Sequence, residues 1–231
     1  MTTLTIIMPV YNETRTISQI LQKIFKIKID KQLIVVDDFS SDGSREKILS
    51  FKDRVDKIIL HEKNLGKGAA IKSAKEFIIG KYVIIQDADL EYDPNDYDKL
   101  MEPLLEKKSQ VVYGSRVLGR NRYKARNFSS LRRVFYNHLL TILSNILNKQ
   151  KLTDAHTCYK VFDTELFKKI ELKEKRFGFC PEVTTKISNL GYDIIEISIS
   201  YKGRTYKEGK KIGILDGLDA IKCLFKYKFF N

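Results

Sequence analysis

The chain has 231 residues, of which 43% are hydrophobic, so it can bury a full core and global disorder is excluded. Lysine and arginine outnumber aspartate and glutamate 42 to 29, which gives a formal net charge of +13. Such a balance favours an anionic partner: nucleic acid, an acidic membrane surface or a phosphorylated substrate.

Short apolar runs alternate with amphipathic stretches through the first half of the chain. The runs predict strands at residues 4–10, 33–36, 57–60, 82–85 and 111–113. Helices are predicted between them at residues 14–25, 43–51 and 69–79, and a further helix starts at Pro94. Strands that alternate with helices imply crossover units and a mainly parallel sheet, so the predicted fold class is α/β.

The second half of the chain is basic, and residues 107–153 contain no Asp or Glu. A helix with a broad apolar face is predicted at 131–147. Two interpretations of that face stay open: an interfacial element that docks on a membrane, or an ordinary helix that faces the core. An alternating strand at 192–200, a basic loop and a helix from about Ile214 follow. We expect one domain with a basic C-terminal elaboration.

Cysteine and histidine usage argues against a zinc site. The three cysteines are Cys158, Cys180 and Cys223, without a CxxC pair, and only three histidines are present. Reduced cysteines in the cytosol fit best. The N-terminus lacks the features of a signal peptide, and no apolar run reaches about 18 residues. We therefore expect a cytoplasmic protein without a membrane-spanning helix.

Acidic residues crowd the end of the strand at 82–85, in the stretch VIIQDADLEYDP. Residues i and i+2 of an extended chain project to the same side, so Asp87 and Asp89 can aim at one point. Their oxygens suit Mg²⁺ or Mn²⁺, with diphosphate oxygens completing the shell. The alternative is a polar strand end before a helix N-terminus, where acidic residues are favoured. Because parallel sheets bind ligands at the carboxyl ends of strands, we favour the metal site.

Three segments together indicate a family. PVYNE (9–13) ends the first strand, VVDDFSSDGS (35–44) ends the second, and DAD (87–89) follows a later one. In this order and at these separations they resemble the family-2 glycosyltransferases with the GT-A fold. The closest similarity is to the polyprenyl-phosphate hexosyltransferase branch, typified by dolichyl-phosphate mannosyltransferase. The resemblance covers essentially the whole chain and implies a Rossmann-like, mixed and mainly parallel sheet flanked by helices.

The resemblance also implies one glycosyltransferase domain over 1–231, with a nucleotide-sugar-binding half at 1–113 and an acceptor-side and lid half at 114–231. Asp89 would act as a catalytic residue by binding the Mg²⁺ or Mn²⁺ that grips the diphosphate. Asp87 would share in metal or sugar binding, and Glu91 stands at the third metal-ligand position. The expected nucleotide-sugar-binding residues are Pro9, Tyr11, Glu13, Asp37, Asp38, Lys67 and Asp87.

Lys67 lies in NLGKG (64–68), which fails the P-loop pattern. His61 takes the first glycine position, and Gly68 follows the lysine where Ser or Thr is needed. A similar segment of the family lies beside the nucleotide, so Lys67 would contact the base or a phosphate. The alternative, glycines that only end one element and open a helix, stays open.

Basic segments of the second half match family segments on the acceptor side. Arg116 in GSR would bind the acceptor phosphate, and Arg126 and Ser130 match by spacing an Arg and a Ser with that role. Asp154 in DAHTCYK would orient the sugar or the acceptor as a catalytic residue. Glu182 in RFGFCPEV is another candidate. The alternative for both acids is a place at the start of a helix.

The segment YKGRTYKEGKKI (201–212) resembles a late motif of the family. Arg204, a further catalytic candidate, would clamp phosphates of donor or acceptor together with Lys210 and Lys211. Gly203 and Gly209 would let the loop move as a lid that excludes water. A solvated loop is the alternative.

The resemblance implies inverting transfer from a UDP- or GDP-hexose to a polyprenyl phosphate. That acceptor is already an anion at neutral pH, so a strong general base is unnecessary, and positioning and charge neutralisation remain to be supplied. A family-2 enzyme that acts on a hydroxyl of a saccharide, protein or lipid headgroup is the alternative. The lack of tryptophan argues against a processive synthase, which carries a Q-x-x-R-W motif.

Two other classes fit the sequence less well. An RNA-binding module would explain the charge but not the acidic strand ends, so we expect no nucleic-acid partner. A nucleotidyltransferase would carry a glycine-rich signature where PVYNE stands. The expected enzyme is soluble or peripheral on the cytoplasmic face of a membrane, with an anionic membrane surface or a separate membrane protein as partner.

Overall fold

The computed structural model describes residues 2–119, 128–204 and 214–230, with side chains throughout except at 128–133 and 214–215. In this part of the chain, seven strands form one sheet in the order β3-β2-β1-β4-β6-β5-β7. The strands are β1 (Leu4–Val10), β2 (Lys31–Asp37), β3 (Lys57–Leu60), β4 (Tyr82–Ile85), β5 (Val111–Ser115), β6 (Lys160–Asp163) and β7 (Ile195–Ser198). β6 runs antiparallel to β4 and β5, whereas the other neighbouring pairs are parallel.

Helices flank this sheet, which confirms the predicted fold class. They are α1 (Ile17–Lys26), α2 (Ser44–Leu49), α3 (Lys67–Ala74), α4 (Tyr97–Leu105), α5 (Phe128–Asn148), α6 (Thr164–Lys169), α7 (Phe179–Asn189) and α8 (Ile214–Phe229). The last long helices, α5, α7 and α8, pack against one another. Within the described ranges, no helix has the length and apolar character needed to cross a bilayer.

The central strands are apolar along their length because both faces of the sheet are covered. All four residues of β4 are buried, as are all residues of β1 except Pro9. Continuous apolar runs of this kind are typical of parallel strands between layers of helices. Four apolar side chains of α1, spaced as one helical stripe, are also buried: Ile17, Ile20, Leu21 and Ile24.

The sequence predicts the first half of the fold better than the second. β1, β3 and β4 have the predicted bounds, and β2 and β5 extend slightly beyond them. The sequence patterns do not predict β6, α6 or α7. β6 has only four residues and begins at Lys160, so it lacks the apolar run that indicates a strand.

One edge of the sheet gathers the loops that carry the predicted site residues. The carboxyl ends of β1, β2, β4, β5 and β7 lie at this edge, and β6 starts there because it runs in the opposite direction. Ligands of open α/β sheets bind outside such an edge. The topology therefore brings residues from both halves of the chain to one place.

The apolar stripe of α5 faces away from the protein. Four of its side chains are 42–71% exposed: Phe135, Leu139, Ile142 and Ile146. The buried face carries the polar residues Thr141, Ser144 and Asn148 instead. The interpretation of 131–147 as a core-facing apolar helix is therefore wrong for the part of α5 whose side chains are described.

Candidate active site

The end of β2 carries two buried carboxylates with different partners. Asp37 accepts a hydrogen bond from Arg45 Nε at 2.6 Å. Asp38 accepts backbone hydrogen bonds from Leu65 at 2.8 Å and from Gly66 at 2.7 Å. Because these two N–H groups belong to NLGKG, Asp38 fixes that segment against the sheet edge.

His61 and the glycines complete the fixing of NLGKG. His61 Nδ1 lies 2.7 Å from Asp38 Oδ1, and its Nε2 lies 3.0 Å from Ser73 Oγ. Gly66 has φ +94°, and a Cβ there would overlap the carbonyl oxygen of Lys175. Glycine is therefore required at this position by both backbone conformation and space.

The segment delivers Lys67 to the first carboxylate after β4. Lys67 Nζ donates to Asp87 Oδ1 and also lies 3.3 Å from Cys158 Sγ. Burial, the largest single effect, would lower the pKa of Lys67, but the neighbouring Asp87 carboxylate contributes to a net rise well above the usual value. A charged ammonium therefore lies beside Asp87.

Arg204 joins three carboxylates that lie more than a hundred residues before it in the sequence. Its guanidinium donates to Asp89 Oδ2 at 2.6 Å and to the two Glu13 oxygens at 2.9 and 3.2 Å. Its backbone N–H donates to Glu91 Oε1 at 2.7 Å. Burial, followed by the charges of Asp87 and Glu91, raises the pKa of Asp89 to about 7, although Arg204 opposes the shift. The carboxylates thus form a crowded cluster that needs positive charge.

Glu91 also fastens the chain that brings Arg204 to the cluster. Tyr201 donates its hydroxyl to Glu91 Oε2 at 3.0 Å, and Lys202 N–H donates to the Glu91 carbonyl at 2.9 Å. Tyr92 and Tyr201 form an antiparallel bridge and an edge-on ring contact with centroids 5.2 Å apart. Residues 201–204, which follow β7, are therefore held against the residues that follow β4.

A buried ion pair lies next to residues 201–204, at the end of β5. Asp154 accepts from Arg116 Nε at 2.6 Å and Nη2 at 2.7 Å, and from the Arg116 backbone N–H at 3.0 Å. Burial would raise the pKa of Asp154, but Arg116 outweighs it and holds that pKa below its usual value. The guanidinium also lies 5.2 Å from the Tyr201 ring centroid. Tyr201 thus connects the carboxylate cluster with the Arg116–Asp154 pair.

The sequence profile described as Glycosyl transferase family 2 matches residues 5–171. The chain belongs to glycosyltransferase family 2. The carboxylates Glu13, Asp87, Asp89 and Glu91 and the pair Arg116–Asp154 lie within that span, whereas Arg204 follows it in the sequence. The chain is an enzyme, a glycosyltransferase that uses a nucleotide sugar.

Curated relatives of this glycosyltransferase include archaeal and bacterial proteins. Uncharacterized protein MJ0544 of Methanocaldococcus jannaschii is 26% identical over 97% of this chain and 99% of its own. The UDP-Glc:alpha-D-GlcNAc-diphosphoundecaprenol beta-1,3-glucosyltransferase WfgD of Escherichia coli is 29% identical over 58% of this chain and 54% of its own.

Solved structures support the GT-A fold. Glucosyl-3-phosphoglycerate synthase from Mycobacterium tuberculosis, in complex with UDP, has a TM-score of 0.75 and 19% identity, over 98% of this chain and 80% of the synthase. Mannosyltransferase PcManGT from Pyrobaculum calidifontis, in complex with GDP-Man and Mn²⁺, has a TM-score of 0.61 and 20% identity, over 84% of this chain and 54% of that one. At these identities the likeness establishes the fold.

The glycosyltransferase fold brings most predicted site residues to one sheet edge. They are Pro9, Tyr11, Glu13, Asp37, Asp38, Lys67, Asp87, Asp89, Glu91, Arg116, Asp154 and Arg204. Ser130 lies in α5, but its side chain is not described. Arg126, Lys210 and Lys211 fall outside the described residues. The roles assigned to all of these residues stay predictions.

Glu182 and Glu196 have structural partners. Glu182, in the first turn of α7, is fully buried, pairs with Lys186 Nζ at 2.8 Å and accepts from Lys173 N–H at 2.7 Å. The helix-start alternative therefore explains its position. Glu196 accepts from Asp154 N–H at 2.8 Å and so orients the Arg116 partner. The alternating pattern at 192–200 predicts the strand that carries Glu196 but does not indicate this contact.

The donor set of the cluster fits a hard divalent cation. Asp87, Asp89, Glu13 and Glu91 offer only carboxylate oxygens. Burial, and then the charges of Asp87 and Glu91, raise the pKa of Asp89. Among the described residues, no three acidic, His or Cys side chains surround one common point. Arg204 and Lys67 instead supply the positive charge beside these carboxylates. The chemistry of the ligands matches Mg²⁺ or Mn²⁺, and their present partners are basic side chains.

Proposed function

We propose that this glycosyltransferase transfers a hexose from a UDP- or GDP-sugar to a polyprenyl phosphate, with inversion at the anomeric carbon. The observation that carries the acceptor proposal is the state of Asp154. Both of its oxygens bind Arg116, and its pKa is held below the usual value. A carboxylate held in this way is a poor proton acceptor, whereas an anionic phosphate acceptor has no proton to remove.

Arg116 is the group that we propose for the acceptor phosphate. Asp154, itself held by Glu196, keeps the Arg116 guanidinium in place. This pair uses the Nε and one Nη nitrogen of the guanidinium and leaves the other Nη for a ligand. A planar guanidinium suits phosphate because two parallel hydrogen bonds can form. Residues 1–113 would then form the donor half and residues 114–231 the acceptor and lid half.

On the donor side, we assign the diphosphate to the carboxylate cluster. Asp87 and Asp89 would hold Mg²⁺ or Mn²⁺, with Glu91 beside them. When bound, the cation neutralises charge that builds on the leaving diphosphate. Lys67 and Arg204 would add positive charge at the same place, and Asp38 would hold NLGKG against the nucleotide. The PcManGT complex with GDP-Man and Mn²⁺ and the synthase complexes with UDP and Mn²⁺ or Mg²⁺ support this assignment.

A hydroxyl acceptor is the second candidate. The relative WfgD is named as a beta-1,3-glucosyltransferase that acts on a diphosphoundecaprenol-linked sugar. Such a reaction needs a base to take the hydroxyl proton. Burial lowers the pKa of His156 to about 4, so this neighbour of Asp154 is a weak base at neutral pH.

A nucleotide-release assay tests the proposal. Purified protein would be given Mn²⁺ or Mg²⁺, a panel of UDP- and GDP-hexoses, and a short-chain polyprenyl phosphate, the corresponding alcohol or a sugar acceptor. We expect release that requires both metal and lipid phosphate and that falls at least about a hundredfold in Asp89→Asn. Asp98→Asn, an exposed carboxylate of α4, is the matched control. Release that ignores the lipid phosphate but rises with a sugar acceptor would establish the second candidate instead.

A further inference from the structure

The helix α5 is amphipathic, but its polar side faces the protein and its apolar side faces outward. Residues of its inner face bond to α7, with Asn148 Nδ2 donating to Thr185 Oγ1 at 3.1 Å and Ser188 Oγ donating to the Asn148 carbonyl. The outer stripe of α5, at positions 135, 139, 142 and 146, is entirely apolar. Ile146 at its end is 71% exposed. A helix that pairs polar groups inward and leaves its apolar stripe outward is suited to an apolar environment outside the protein.

The neighbouring helix α8 extends the same feature. Its buried side is formed by Ala220, Cys223, Leu224 and Tyr227. Leu218, Phe225 and Phe229 are 51%, 42% and 62% exposed, and the rings of Phe225 and Phe229 stack with centroids 6.1 Å apart. Phe230, which follows the helix, is 84% exposed. Because α5 packs against α8, two adjacent helices carry outward apolar side chains.

We call these side chains the α5–α8 apolar face, defined as Phe135, Tyr136, Leu139, Ile142, Ile146, Leu218, Phe225, Phe229 and Phe230. Of the sixteen large apolar side chains exposed among the described residues, nine belong to this face. Single exposed apolar residues are ordinary, but a concentration on two packed helices marks an interaction surface.

The charge of the sequence that contains α5, together with two lysines of α8, identifies the partner. Residues 107–153, which contain α5, hold eleven Lys and Arg and no Asp or Glu. On α8, Lys222 is exposed and lies 3.8 Å from Asp219, and Lys226 is half exposed and pairs with Glu174 at 2.8 Å. Two copies of a chain with net charge +13 repel each other, whereas an anionic bilayer attracts this surface and accepts its apolar side chains.

We propose that the α5–α8 apolar face docks the enzyme on an anionic lipid bilayer. Aromatic and aliphatic side chains enter the boundary between headgroups and acyl chains, while the surrounding lysines contact lipid phosphates. Both helices belong to residues 114–231, the half that we propose for the acceptor, so docking brings that half to the bilayer. The proposal deepens the proposed function by naming the place from which the acceptor is taken, and it rests on that function only in this catalytic consequence.

Vesicle co-sedimentation tests docking without any turnover. The full chain would be mixed with vesicles of phosphatidylcholine alone or with added phosphatidylglycerol. We expect binding to the anionic vesicles that falls about tenfold or more in the double variant Ile142→Glu/Ile146→Glu, because two charges enter the apolar boundary. Ile79→Glu, at a residue 67% exposed near the start of β4, is the matched control and should bind as the wild type does.

Three results would overturn the proposal. They are absence of wild-type binding to anionic vesicles, equal binding by the double variant, and a dimer in light scattering that the double variant abolishes, which would assign the face to a second copy. Turnover separates this proposal from the proposed function. The double variant should keep wild-type rates with a water-soluble short-chain polyprenyl phosphate and lose rate only with acceptor embedded in vesicles.

Discussion

Arg204 shows how one residue sets the electrostatics of the site. It reaches Glu13 and Asp89 through its side chain and Glu91 through its backbone, across more than a hundred residues of sequence. Without this positive charge, the buried carboxylates would repel one another more strongly. In the proposed function, a donor that brings its own cation would share this task, so Arg204 would couple residues 201–204 to donor binding.

The Arg116–Asp154 pair gives the first stability prediction. Removing one partner of a buried ion pair leaves an uncompensated charge, which costs about 3–5 kcal/mol. We expect Arg116→Ala to lower the free energy of unfolding by this amount in urea titrations. Lys108→Ala, which removes an exposed pair with Glu106, is the control and should leave the free energy of unfolding nearly unchanged. Similar losses in the two variants would contradict the buried pair.

His156 predicts a pH dependence of stability. Burial, and then the positive charge of Lys160, lower its pKa in the folded chain to about 4. The unfolded chain takes up that proton near pH 6.5, so between about pH 6.5 and 4 it binds more protons than the folded chain does, and acid favours unfolding. This residue should therefore remove up to about 2 kcal/mol of stability between about pH 7 and 5. In urea titrations, the free energy of unfolding of His156→Gln should fall correspondingly less between these pH values. The same pH dependence in the variant and the wild type would contradict the assignment.

At the scale of elements, the start of α3 depends on a close approach of two backbone segments. A Cβ at Gly68 would overlap the Glu174 carbonyl oxygen, and Ala69 N–H donates to the Lys175 carbonyl at 3.0 Å. The segment before α7 therefore packs directly on NLGKG. The backbone on both sides of Lys67 is therefore fixed: Asp38 binds the residues before it, and the segment before α7 binds the residue after it.

Gly68→Ala should displace that contact. We expect the free energy of unfolding to fall by about 1–3 kcal/mol and donor-nucleotide affinity to weaken, because the backbone beside Lys67 must move. Gly217→Ala is the matched control: a Cβ there meets nothing within 4 Å in α8, so helix propensity should raise stability by up to about 1 kcal/mol. Urea titration and nucleotide titration measure both effects. Unchanged stability and nucleotide affinity in Gly68→Ala would contradict the close contact between Gly68 and the Glu174 carbonyl.

Strands differ in how far the sequence predicts them. β1, β2 and β4 are predicted because sheet strands covered on both faces need continuous apolar runs. β6 is missed because its first residue, Lys160, is fully buried, with Nζ donating to the carbonyls of Ala155 at 3.1 Å and Thr157 at 2.5 Å. Only the folded loop shows that such a lysine has partners.

At the scale of the whole molecule, the sequence predicts which residues lie at the same edge of the sheet. It predicts less well which side chains are their hydrogen-bond partners. Acidic residues at strand ends and the family resemblance placed Asp38, Asp87 and Asp89 at one edge. The contacts of Arg204 with Glu13 and of Asp154 with Arg116 depend on the fold, because nothing local indicates them. Likewise, helical periodicity reveals the apolar stripe of α5 but not the side that it faces.

The central claim is that the edge around Asp89 binds a nucleotide through a divalent cation. Titration calorimetry of UDP and GDP, each in Mn²⁺ and in EDTA, tests it most directly because it does not depend on the acceptor. We predict binding of at least one nucleotide in Mn²⁺ that weakens at least about tenfold in EDTA and in Asp89→Asn, but not in Asp98→Asn. Nucleotide binding that is equally tight in EDTA and in Asp89→Asn would contradict the account.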